Sequence, residues 1–112
     1  MEGTLGAGSS PLTSLLASAA RACEERLARY LADAPTPPDA GFRNTITFAL
    51  ALMRVSAEHP APADVDLRLI RDAARDAAEA CRRRGLDDDL LTAAATFDRV
   101  VHLCDRGLAQ PG

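Results

Sequence analysis

Three sets of residues in this sequence have side chains that could do chemistry: the cysteines, an acid–histidine group, and an arginine run. Cys23, Cys81 and Cys104 are soft ligands that could hold Cu(I) or zinc if they converged. Asp98, His102 and Asp105 recur at three- and four-residue steps, which puts them on one side of a helix. There a carboxylate could fix an imidazole tautomer, or the trio could hold a metal. Arg82-Arg83-Arg84 is the longest basic run and could meet a phosphate or an acidic partner.

Each set also has a plain structural reading. The cysteines are odd in number and widely spaced, as expected of buried thiols in a reducing compartment. In an antiparallel bundle they fall at three levels, so no pair is expected to meet. Asp98 and His102 are flanked by Arg99 and Arg106 and lie beside the core stripe of their helix. A hairpin between the third and fourth helices sets Asp98 level with about Ala74 and Arg75, so an Asp98–Arg75 pair is expected. Arg75, Asp98 and His102 are then the residues to watch for a small cofactor. The arginine run closes a helix, where cations meet the negative end of its dipole. Asp87-Asp88-Asp89 opens the next helix with the complementary charge. No calcium-loop, P-loop, dinucleotide, zinc-protease or Cys-x-x-Cys pattern occurs, and no cofactor or metal is expected.

The elements that must position these residues are helical. Hydrophobic residues make up 47% of the 112 residues and aromatics only 4%, so the core must be built from aliphatic side chains. Twenty-three alanines favour helix and let helices approach closely. Residues 1–10 are rich in Gly, Ser and Thr and read as a disordered tail. A single domain over residues 11–109 holds four helices, at about 11–34, 40–58, 64–84 and 87–107. Ser10-Pro11 starts the first, whose inner face is Leu12, Leu15, Leu16, Ala19, Cys23, Leu27, Tyr30 and Leu31. Pro35-Thr36-Pro37-Pro38 is a stiff connector, and Pro60 and Pro62 separate the second and third helices. Val65, Leu69, Ile70, Ala73, Ala77 and Cys81 give the third helix its inner stripe, with Asp64 as its cap. Gly85 ends that helix and Asp87 caps the next. The fourth has the clearest stripe: Leu90, Ala94, Phe97, Val101, Cys104 and Leu108. Gly107 and the chain end suggest fraying. The expected fold is all-α, a four-helix bundle with antiparallel up-down-up-down topology, an orthogonal four-helix array being the alternative.

The second helix is apolar almost all round at its centre. Ile46, Phe48, Leu50, Leu52, Met53 and Val55 offer more apolar surface than one inner stripe requires. These six are the candidate interface, for a homodimer or for another helical protein; the central helix of an orthogonal array would explain them equally well.

Two function classes follow. One is a non-enzymatic interaction module, adaptor or small regulator that self-associates through the second helix. The other is a pocket protein or enzyme holding a cofactor near Arg75, Asp98 and His102. A formal net charge of -3 argues against nucleic-acid binding, for which Arg82–Arg84 would be the only foothold. The absence of a long apolar run or a secretory leader points to a cytoplasmic protein without a membrane partner.

Overall fold

The fold comes from a computed structural model that describes residues 11–33, 39–58 and 63–109. It is an all-α four-helix bundle: α1 (Pro11–Asp33), α2 (Ala40–Ala57), α3 (Asp64–Arg84) and α4 (Asp88–Ala109). The expected tail, the Ser10 cap, the proline connector, Pro60, Pro62 and the last three residues lie outside the described residues. Neighbours pack in a closed ring, α1 on α2, α2 on α3, α3 on α4 and α4 on α1; the described residues make no backbone approach across the diagonals. That is the antiparallel up-down-up-down arrangement rather than the orthogonal array.

Local chemistry sets the helix ends. The Asp39 carboxylate accepts the Phe42 N–H at 2.8 Å and opens α2. Asp87 caps α4 through one carboxylate oxygen, which accepts from the Asp89 and Leu90 N–H groups at 2.8 and 3.3 Å. The cap of α3 is Ala63 rather than Asp64; Asp66, in the first turn, reaches back to accept the Ala63 N–H at 3.4 Å. Gly85 follows α3 in extended rather than left-handed backbone, so its flexibility is not what stops the helix. Gly107 is not a fraying point. It lies inside α4 where Leu67 and Leu12 press in, and an added Cβ would stand 3.1 Å from a Leu67 methyl.

The core is one cluster fed by all four helices. Phe97, Leu16, Met53, Ile70, Leu90 and Val100 are its largest fully buried side chains. Buried alanines are common on two of the helices: Ala73, Ala74, Ala77 and Ala78 on α3, Ala93 and Ala94 on α4. Among the described residues α3 and α4 make the most extensive pairing, helped by these small side chains.

The stripe of α3 differs from expectation. Leu67 points inward, with Ile70, Ala74, Ala77 and Cys81 following at steps of three and four. Val65 and Leu69, expected inside, are 61% and 48% exposed. On α1, Leu15 and Leu31 are likewise outside, and Ala20 takes the inner place.

Candidate functional site

The expected cluster of Arg75, Asp98 and His102 does not assemble. Asp98 pairs with Arg82, while Arg75 turns to Asp72 on its own helix at 3.8 Å. The reason is the lean of helical side chains, each toward the N-terminus of its own helix. In an antiparallel hairpin, side chains that start level lean apart, and those that start offset in the right sense lean together. Arg82 begins well above Asp98 and reaches down to it. Arg71 meets Asp105 in the same way at 3.5 Å. Level counting ignores this lean and so picks Arg75. His102 is exposed on the outer side of α4. Among the described residues no group of three or more His, Cys, Asp or Glu could hold a metal ion.

The cysteines are buried and unpaired as disulfides. Burial pushes the Cys23 thiol up to about 12, with Cys81 and then Glu24 adding to the rise. Cys81 and Cys104 are pushed up to about 11, again by burial first. At neutral pH all three are therefore thiols, poor nucleophiles and poor metal ligands. Cys23 and Cys81 lie on diagonally opposed helices, α1 and α3, whose backbones do not approach one another among the described residues. Arg84 donates from its Nε to the Tyr30 hydroxyl at 2.7 Å and ties the end of α3 to α1. Cys23 itself donates weakly to the Ala93 carbonyl on α4 at 3.9 Å.

The arginine run is engaged within the chain. Arg82 pairs with Asp98, and Arg83 lies 3.9 Å from Glu79. The Arg84 guanidinium lies 6.0 Å from the ring centres of both Tyr30 and Phe42. A cleft of about 480 Å³ opens here between the start of α2 and the end of α3, lined by Phe42, Thr45, Arg83 and Arg84 among others. Asp39 also lines it, its carboxylate already occupying the positive end of α2. That charge opposes entry of a second anion.

The six apolar residues of α2 divide. Ile46, Leu50 and Met53 belong to the chain's own core, Met53 being fully buried, and have no surface left to offer a partner. Leu52 is partly buried against that core. Phe48 and Val55 stand outside, each 56% exposed.

Helical geometry shows where these two point. Gly41 and Thr45 on α2 and Ala80 and Arg83 on α3 share the cleft, so they mark the sides on which α2 and α3 face each other. At about 100° per residue, Phe48 and Leu52 lie within about 60° of Thr45. On α3, Val65 is five whole turns from Arg83, and Leu69 is three turns from Ala80. Phe48, Leu52, Val65 and Leu69, with Val55 about 80° from Thr45, therefore form one outward strip along α2 and α3. Val65 and Leu69 were hidden from the sequence reading by their assignment to the core. The 3-4-3-4 spacing from Leu67 to Cys81 was the signal that would have placed them outside.

No family model, curated protein or solved structure matches this chain. No helix among the described residues is long and apolar enough to cross a membrane.

Proposed function

We propose that this chain is a non-enzymatic interaction module that pairs with a second copy of itself through the outward side of α2. The observation that carries this reading is the exposure of Phe48 and Val55 beside a core that is already filled. Full burial of such a side chain is worth about 1.5–3 kcal/mol, so completing the burial of a half-exposed one contributes about 1 kcal/mol. A twofold dimer makes each contact twice. The charged outer faces support the same reading: their cross-helix pairs, Glu24–Arg54 at 2.9 Å, Arg26–Asp89 at 3.2 Å and Arg71–Asp105, brace the bundle rather than build a reactive centre. Three buried thiols suit a reducing compartment such as the cytoplasm.

The test is sedimentation velocity over a concentration series, with helicity followed by circular dichroism. The wild-type chain is expected to run as a dimer. Phe48→Asp and Val55→Asp should run as folded monomers, because both sites lie outside the core. Met53→Asp should unfold the chain, so it cannot report on assembly. A wild-type monomer at every concentration would refute the reading.

A further inference from the structure

Resting on the self-association reading above, we propose that the second copy packs antiparallel across a twofold axis near Leu52 and Leu69, and that α3 supplies half of the interface. The strip is self-complementary in that orientation. Leu52 stands five residues before the end of α2 and Leu69 five residues after the start of α3, so the two are level and mark the middle of the apolar strip. A twofold axis running across the helices at this level lays α2 over its copy and α3 over its copy, each pair antiparallel. Phe48 of one subunit then meets Val55 of the other, twice. Leu69 meets its own copy at the axis, with Val65 closing the strip toward the α2–α3 link.

The charges around the strip select the same orientation. Arg68 and Asp72 straddle the level of Leu69 on the outward side of α3, one helical turn apart. Within the chain Asp72 is taken by Arg71 at 3.2 Å and by Arg75 at 3.8 Å, and not by Arg68. Among the described residues Arg68 makes no ion pair. Across an antiparallel axis Arg68 of each subunit lies opposite Asp72 of the other. The lean of side chains toward their own N-termini closes that gap, as it does for Arg82 and Asp98. A parallel dimer, with its axis along the helices, would instead lay α2 over the copy of α3. Phe48, nine residues before the end of α2, would then cover Asp72, eight residues after the start of α3, and trap a carboxylate under an aromatic ring.

The experiment uses charge reversal and mixing, read by sedimentation velocity at low salt with circular dichroism as the folding control. Arg68→Glu and Asp72→Arg should each weaken self-association by about tenfold, because symmetry places each reversed charge opposite a like one twice. Mixed one to one, the two variants should pair with each other at wild-type strength. In the mixed dimer Glu at 68 faces Arg at 72, and the native Arg68 faces the native Asp72. Val65→Asp and Leu69→Asp should each weaken the dimer at least tenfold while remaining folded. If the mixture is no stronger than either variant alone, the antiparallel axis is wrong. If Phe48→Asp dissociates the dimer while Val65→Asp and Leu69→Asp do not, self-association through α2 stands and the α3 half of the interface falls. A wild-type monomer removes both.

Discussion

All thirteen basic residues of this chain are arginine, and that makes its alkaline behaviour readable. With no lysine to mask them, the three cysteines can be followed through the alkaline range. Folding holds Cys23 up to about 12 and Cys81 and Cys104 up to about 11, against an ordinary value of 9.0. The unfolded chain therefore releases these protons before the folded one does. A raised folded value means that stability is intact below about pH 9 and is lost as pH rises toward 11–12. Each thiol in that window removes about 1.4 kcal/mol per pH unit. Three thiols over two units remove up to about 8 kcal/mol, comparable with the whole stability of a domain this size. The prediction is unfolding near pH 11 with a proton release shared by the cysteines. Urea titrations at half-unit steps from pH 7 to 11 measure the slope, with thiolate absorbance recorded alongside. A variant with all three cysteines replaced by alanine should start less stable, because of the cavities left, and lose much less between pH 9 and 11. If its slope equals that of the wild type, or if thiolate forms at pH 9 without unfolding, the burial argument is wrong.

Two further outcomes follow from the cap of α4 and from the charge register of the α3–α4 hairpin. Asp87→Ala removes the acceptor for two N–H groups at the start of α4 and should cost about 1 kcal/mol by urea denaturation at pH 7; an unchanged midpoint would mean the cap is idle. A double-mutant cycle on Arg82 and Asp98 should give a coupling of about 0.2–1 kcal/mol, as for other exposed pairs, while the cycle on Arg75 and Asp98 should give none. The reverse result would restore the level-counting register.

How much of this was legible in the sequence varied by helix, for a physical reason. The stripe of α4 carries Leu, Phe and Val, whose large apolar surfaces make its inner side plain, and Leu90, Ala94, Phe97 and Cys104 are all buried. The inner side of α3 is mostly alanine. A phase set by small residues is easily outvoted by Val65 and Leu69, which are larger but lie outside. On α2 the excess of apolar residues was visible, but a one-dimensional pattern could not divide it. Only the places of α1 and α3 on either side decide that Ile46, Leu50 and Met53 go in while Phe48 and Val55 stay out.

The misplaced salt bridge and the proposed dimer geometry turn on one property of helices. Sequence counting fixes where a Cα sits along a hairpin, but contact is made at the end of a side chain, and side chains lean toward their own N-termini. For two antiparallel helices the lean adds, so long side chains meet partners a turn or more from the level position. Arg82 finds Asp98, and Arg71 finds Asp105, by this rule. The same rule underlies the proposed dimer, where Arg68 and Asp72 lie one turn apart and meet each other's copies only if the second α3 runs the opposite way. The apolar strip alone would tolerate several docking angles, since burial is not directional. In the proposed dimer the charges beside it restrict the choice to the orientation in which both Arg68 guanidiniums find a carboxylate.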